Sequence, residues 1–425
     1  KLEATSGSSK VKFTLTERQK RMMPLVMIGA FFEGFDFMVI NLALPFITSD
    51  FNLNDQTASF TVSAVAVGTL LAFFVVRLAD RVGRRPVFLW SVVIYSALSL
   101  VTAFSPNIEF FIACQFLARV FLVTCWAVGF IFMTEEFSPE MRGRAVGLFQ
   151  SAAAVGAIFP SLLLPLTAMF NMEWEGLYVI GALPLILVIF FAKNLPETKA
   201  FVESRERLNN GTEHKPSLFA IFAKPYRKHI FAVMGLWVFM YLCYSSAMNF
   251  FTYHVVNDLG WGTTQVSLVT ALAFTLGLSG YYVAGKLLDA IGRKKTAYIF
   301  FFLGACAVTL VFQAEAFLHV ALAQIVAVFF IGTFTVLCAT FTNELFPTEI
   351  RASATAWGNN IVGRLGQIAA PALVGFLAIP LSGVANAVSL LTLGPIVCIL
   401  LIALFLPEPL DYEIPEYHYN QSTGA

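Results

Sequence analysis

Apolar residues in this chain come in long blocks broken by short polar stretches. A membrane-spanning helix needs about 20 mostly apolar residues. Twelve blocks approach that length: 22–47, 57–79, 87–104, 109–134, 143–170, 174–192, 229–256, 264–288, 296–314, 317–345, 352–379 and 383–406. The pattern predicts an all-α membrane protein with twelve transmembrane helices. The connections between blocks fall into two classes. Asp50 to Asp55, Ser105 to Ile108, Asn171 to Glu173, Asp258 to Thr263, Ala314 to Ala316 and Pro380 to Ser382 hold no Lys or Arg. The alternate connections are basic, among them Arg81-Val-Gly-Arg84-Arg85 and Arg293-Lys-Lys295. Positive loops stay cytoplasmic. This places both termini in the cytoplasm and the chain, multi-pass, in the plasma (inner) membrane. Of 27 Lys and Arg residues, 25 then lie on one side. The exceptions, Arg119 and Arg364, sit inside apolar blocks. An arginine there costs at least about 2.5–3.5 kcal/mol unless it has a partner or a water-filled cavity.

Composition agrees with lipid as the main solvent. The chain is 58% hydrophobic and 12% charged, against about 25% charged in a soluble protein. A net charge of +1 gives no basis for nucleic-acid binding. Six cysteines stand singly in apolar blocks without CxxC spacing and read as small buried hydrophobes. Asn210-Gly-Thr212 matches a glycosylation triplet but falls in an expected cytoplasmic loop. There is no metal-ligand cluster, nucleotide-binding loop or nucleophile constellation. An enzyme is therefore not expected, nor is a cofactor or a metal. A monomer is the expected state.

The two halves repeat. Asp80-x-x-Gly83-Arg84-Arg85 recurs as Asp289-x-x-Gly292-Arg293-Lys294, offset by 209 residues. Glu135-x-Phe-x-x-Glu140-x-Arg142 recurs as Glu344-x-Phe-x-x-Glu349-x-Arg351. Pro196-Glu197 recurs as Pro407-Glu408 at an offset of 211. The organisation is two pseudo-symmetric six-helix bundles, 1–192 and 229–425, joined by a charged loop, 193–228. Parallel six-helix repeats with a site at their interface are a transporter plan.

Gly285-Lys-Leu-Leu-Asp289-Ala-Ile-Gly292-Arg293-Lys294-Lys295 resembles the loop signature between helices 2–3 and 8–9 of the major facilitator superfamily. The first copy carries Val76 where the opening glycine is usual. Glu33-Gly34-Phe35-Asp36 resembles the Asp-Gly-Tyr/Phe-Asp motif of the aromatic acid:proton symporters, with Glu33 in place of the first Asp. Glu344-Leu-Phe-Pro-Thr-Glu-Ile-Arg351 and Gly363-Arg364-Leu-Gly366 through Pro371 are similar to that group and to its sugar-porter and metabolite-symporter relatives. Helix 4 departs from these groups. They are glycine-rich after the arginine, whereas this chain reads Arg119-Val-Phe-Leu-Val-Thr-Cys-Trp126.

The repeat separates scaffold from chemistry. Asp80, Arg84, Glu135 and Arg142 recur as Asp289, Arg293, Glu344 and Arg351. They lie at cytoplasmic helix ends and are expected to gate, latching one half against the other. Glu33, Asp36, Arg119 and Arg364 do not recur; their counterparts are Leu242, Ser245, Val328 and Val155. Glu33 and Asp36 share a helix face at i, i+3, and Gln115 and Arg119 share one at i, i+4, with Trp126 two turns on. Trp357, Asn360, Arg364 and Gln367 are spaced 3, 4, 3, a polar stripe on an apolar helix. Tyr244 is a candidate cavity residue, and Gln150 and Asn249 are candidate hydrogen-bonders. The competing structural reading is that the two acids and two arginines neutralise each other and pin helices together.

A carboxyl group in hydrocarbon favours its neutral form, and a neighbouring guanidinium favours the charged one. Alternation between such surroundings loads and releases a proton. This makes Asp36 and Arg119, with Glu33 beside them, the candidate coupling set, as the resemblance to proton-coupled relatives also implies. Arg364 is then left for a substrate anion, since a guanidinium grips carboxylate at two points. The leading expectation is a secondary active transporter that moves a small organic acid with protons by alternating access. Alternatives are a proton-coupled sugar or polyol transporter and a non-transporting membrane receptor.

Overall fold

The computed structural model describes residues 15–209 and 218–415. The Asn210 triplet lies outside them. Twelve helices are long and apolar enough to cross a membrane. They are α1 Glu17–Asp50, α2 Asp55–Val82, α3 Arg84–Thr102, α4 Ile108–Glu135, α5 Arg144–Met169, α6 Glu175–Asn194, α7 Lys224–Asn257, α8 Thr263–Ile291, α9 Arg293–Gln313, α10 Phe317–Glu344, α11 Arg351–Ala378 and α12 Val384–Asp411. Large apolar side chains face outward along them: Trp90, Phe190 and Leu404 are 66%, 68% and 68% exposed. A globule in water would bury such groups; a bilayer solvates them.

Helix ends and breaks follow local chemistry. Thr16 opens α1 as a capping box, with Gln19 returning to the Thr16 N–H. Asn54 and Asn107 cap α2 and α4 through their side chains. Within α6 the helix is interrupted at Ala182 and Leu183, before Pro184. Within α12 it is interrupted at Thr392, shortly before Pro395. Proline lacks the N–H that would continue the ladder. The two prolines repeat the 211-residue offset of Pro196 and Pro407. In α11 the stretch Ala356–Gly363 is π-helical, a rare local widening that often marks a functional site.

Glycines let the helices of the first half approach closely. A Cβ on Gly34 of α1 would strike the Ala153 carbonyl of α5, and one on Gly156 of α5 would strike the Phe31 carbonyl of α1. Across the halves, α2 packs on α11, α5 on α8 and α1 on α7.

The two ends of this interface differ. At the end away from the described termini, Tyr253 of α7 donates to the Asp55 carboxylate of α2. Nearby, Ser63 Oγ donates to Ile368 O at 2.6 Å, and Phe60 meets Phe376 edge-on at 5.0 Å. The six connections at that end hold no Lys or Arg. At the opposite end, the ion pairs of the repeated loop motifs stay within one half each.

Those motifs are built twice in one design. Arg84 bridges Glu135 at 3.0 Å and Asp80 at 3.2 Å. Arg293 bridges Glu344 at 2.8 Å and Asp289 at 3.4 Å. The expected latch between halves is therefore not what these charges form here; each set ties α2–α3–α4, or α8–α9–α10, inside its own bundle. Arg142 is exposed. Arg351 reaches the Phe346 carbonyl at 3.4 Å, again within one half.

Glu197 and Glu408 complete the motif, a role not assigned to them from sequence. Glu197 accepts the backbone N–H groups of Arg84 and Arg85 at 3.0 and 3.1 Å. Glu408 accepts those of Arg293 and Lys294 at 2.9 and 3.0 Å. Each carboxylate thus caps the N-terminus of α3 or α9, where the helix dipole favours negative charge. Gly83 and Gly292 have φ of 118° and 95°, and a Cβ on either would press on the capping carboxylate. Only glycine meets both demands easily. Val76 costs the first copy no close helix packing of the kind its glycine counterpart would mark, because Gly285 itself has open space around its Cβ direction.

Candidate substrate and proton site

Halfway along α1, α4, α7 and α11 a cavity lies between the two bundles. Phe37, Asn41, Thr69, Arg119, Tyr244, Ser245, Asn249 and Gln367 are among its walls. Arg119 is buried at 6% exposure, with its guanidinium 5.2 Å from the Phe37 ring centre. Arg364 donates to Gln367 Oε1 at 2.6 Å and lies over the Tyr241 ring at 5.5 Å. Tyr241 in turn donates to Asn359 Oδ1 at 3.0 Å. Among the described residues no carboxylate forms an ion pair with Arg119 or Arg364. The charges nevertheless form one constellation across the interface: Glu33 is within electrostatic reach of both arginines, and Asp36 of Arg119 and Glu33. The reading in which acids and arginines merely pin each other as close salt bridges is not the geometry found.

Asp36 is buried at 7% exposure, and its Oδ1 has no hydrogen-bond partner. This oxygen packs against Gly181 of α6 and near Ser99 of α3, behind α1 as seen from the cavity. Glu33 is half-buried.

Several candidates sit elsewhere. Gln115 donates to Thr102 Oγ1 at 2.9 Å and ties α4 to α3. Trp126 stacks on Phe130 and leans on Phe149. Gln150 is exposed and not part of the cavity wall. Trp357 donates to the Leu218 carbonyl at 2.9 Å and packs on Phe219 and Phe222, anchoring the end of the inter-bundle loop. A stripe drawn at 3.6 residues per turn joined Trp357 to Arg364, but the π-helical turn between them changes the angle. Asn360 lies in that turn, half-buried. Tyr244 and Asn249 do line the cavity, and Asn249 Nδ2 donates to Ser245 O at 2.7 Å.

Sequence reasoning missed a second polar group. Tyr95 and Ser96 of α3 and Tyr178 of α6 are 1%, 0% and 1% exposed; their hydroxyls have no partner meeting full hydrogen-bond geometry, although those of Tyr95 and Ser96 are close enough to interact with each other. The available signal was Ser91, Tyr95 and Ser96 on neighbouring turns of an apolar helix, with Phe300, Gly304 and Ala305 at the repeat positions.

Twelve apolar helices in two repeated bundles, with buried charge and a polar cavity between them, define a membrane transporter. The family model of the Major Facilitator Superfamily matches residues 26–256 and again 234–418, and the chain belongs to that family. It is similar to the niacin transporter NiaP of Acinetobacter baylyi, 28% identical over 378 residues that cover 82% of this chain and 85% of that one. It is also similar to the 3-(3-hydroxy-phenyl)propionate transporter of Escherichia coli, 29% identical over 387 residues, covering 87% and 88%. Among solved structures, the inward-open xylose transporter XylE from E. coli superposes with a TM-score of 0.70 at 16% identity, covering 90% of this chain and 95% of that one. That likeness concerns the fold. The chain is a multi-pass integral membrane protein and a transporter of this family, not an enzyme.

Proposed function

We propose that this protein is a secondary active transporter that moves small organic acids, aromatic carboxylates first, together with protons by alternating access. The observation that carries this reading is Arg364. It is a guanidinium at the bundle interface, oriented by Gln367 and Tyr241 and held in no ion pair among the described residues. An always-charged planar fork beside a cavity suits a carboxylate. The names of the relatives, a niacin transporter and a hydroxyphenylpropionate transporter, support the same class. Asp36, with Glu33 and Arg119, is the coupling set in this reading. The cross-bundle contacts of Tyr253 and Ser63 close one side. The loop motifs around Arg84, Arg142, Arg293 and Arg351 control the other.

A thermal-shift titration of purified protein tests substrate class, because ligands stabilise the state they bind. Niacin and 3-(3-hydroxyphenyl)propionate should raise Tm and xylose should not. Arg364→Lys keeps the charge but loses the two-point grip, so acid binding should weaken roughly tenfold or more, about 1.4 kcal/mol. Stabilisation by xylose with no response to either acid would transfer the assignment to the sugar reading.

We place both termini and the 193–228 loop in the cytoplasm of a plasma-membrane protein, because the connections at the other end carry no Lys or Arg. An Asn210→Cys variant on a cysteine-free background should react with an impermeant maleimide only after the cells are opened. Reaction in intact cells would invert the topology.

A further inference from the structure

Of the ten buried side-chain polar atoms without a hydrogen-bond partner among the described residues, seven belong to the first bundle; apart from Asn41 Oδ1 in the cavity wall and Glu175 Oε2 at the start of α6, five remain. They are Asp36 Oδ1, Ser91 Oγ, Tyr95 Oη, Ser96 Oγ and Tyr178 Oη. Asp36, Tyr95, Ser96 and Tyr178 are also near one another. Asp36 acts electrostatically on both Tyr95 and Tyr178. Its carboxyl group rests on Gly181 beside Ser99, whose hydroxyl donates to the Tyr178 carbonyl at 3.0 Å. Buried polar groups in folded proteins are almost always satisfied, often by ordered water with two to four polar partners.

We propose that Tyr95, Ser96 and Tyr178 form, with Asp36, a hydrated proton chamber inside the first bundle, so that Asp36 exchanges its proton behind α1 and not across the substrate cavity. The inference rests on Asp36 being the coupling acid. A phenol and an aliphatic hydroxyl each donate and accept. Each oxygen can therefore take one proton as it passes one on, returning to its starting state with no other reactant. Arg119, in the cavity wall beside Phe37, is within electrostatic reach of both Asp36 and Tyr178, so the cation borders the carboxyl group and the hydroxyl set alike. Glu33, one turn away on α1, and the Cys125 thiol of α4 are the other titratable groups close to this set. The second bundle has no counterpart on its third helix: Phe300, Gly304 and Ala305 replace Ser91, Tyr95 and Ser96.

The test is infrared titration of the full-length protein in lipid, following protonated carboxyl bands with pH and needing no substrate. Asp36→Asn assigns the band. Tyr95→Phe, Tyr178→Phe and Ser96→Ala delete one hydroxyl each while leaving the packing shape nearly intact. The chamber predicts that the Asp36 band changes frequency and that its titration midpoint moves in at least two of the three variants. An unchanged band and midpoint in two or more of the three would overturn it, as would a tyrosine variant that melts higher than the parent with its band in place, which marks a dry, unhydrated hydroxyl. If Asp36→Asn removes no band at any pH, Asp36 does not titrate, and the coupling reading fails instead of the chamber alone.

Discussion

The interiors of the two bundles are the same shape filled with different chemistry. In the first, Tyr95 of α3 faces a region where α4 supplies Cys125. At the same repeat positions in the second, α9 supplies Gly304 and α10 supplies Phe334, whose ring lies where a Cβ on Gly304 would go. One aromatic ring and one small residue fill each interior, but the ring has changed helices and lost its hydroxyl. Packing density is thus kept while polarity is not. An unsatisfied buried hydroxyl costs about 1–3 kcal/mol, so the polar version is the less stable solution unless it serves a purpose. The loop motifs show the opposite behaviour. Arg84 with Glu135, Asp80 and Glu197 is matched group for group by Arg293 with Glu344, Asp289 and Glu408. Scaffold chemistry is duplicated; among the described residues the buried hydroxyls without a partner lie mainly in the first half.

The sharpest way to break this contrast is at Asp36. Asn keeps the shape and cannot ionise, so Asp36→Asn should abolish proton-driven accumulation of a labelled organic acid while sparing substrate exchange. Arg119→Ala should impair accumulation as well, by removing the cation that favours the ionised acid. Full accumulation by Asp36→Asn would mean that the polarity of the first bundle is not for coupling, and Glu33 would become the acid to test.

A second measurement addresses the apolar interior. Phe334 is fully buried, with its ring 4.8 Å from that of Phe301. Phe334→Ala should cost about 3–5 kcal/mol, whereas Cys125→Ala at the matching position should cost about 1 kcal/mol or less. Unfolding in mixed micelles compares the two. Equal losses would show that the interiors are not alternative fillings of one shape.

The smallest effect is expected where the halves agree. Glu197→Gln and Glu408→Gln each weaken a charged cap on a helix N-terminus and should each lower stability by about 1 kcal/mol. A large loss at one and none at the other would end the claim that the motifs are equivalent.

Twelve spans, the repeat and the basic asymmetry of the loops were legible in the residues alone. Lipid imposes length and apolarity on every crossing segment regardless of its neighbours, and the 209-residue recurrence of Asp80 and Arg84 needs no structure to be seen. The same recurrence singled out Asp36, Glu33, Arg119 and Arg364 as exceptions; the fold puts Arg119 in the cavity wall and turns the Asp36 carboxyl behind α1, against Gly181. What lies around them was a matter of packing. Helical spacing put Trp357 with Arg364, but the π turn of Ala356–Gly363 sends Trp357 to the inter-bundle loop. Spacing put Gln115 with Arg119, but Gln115 bonds Thr102 on the neighbouring helix. Tyr95 and Tyr178 are more than 80 residues apart and carry no shared motif; only the packing of α3 and α6 against α1 brings both to Asp36. The membrane spans, the repeat and the exceptional charges are legible in the residues alone, because they follow from composition and spacing along the chain. Which hydroxyl meets which carboxyl was decided by the tertiary structure, because a buried polar group's partner comes from whichever helix packs beside it.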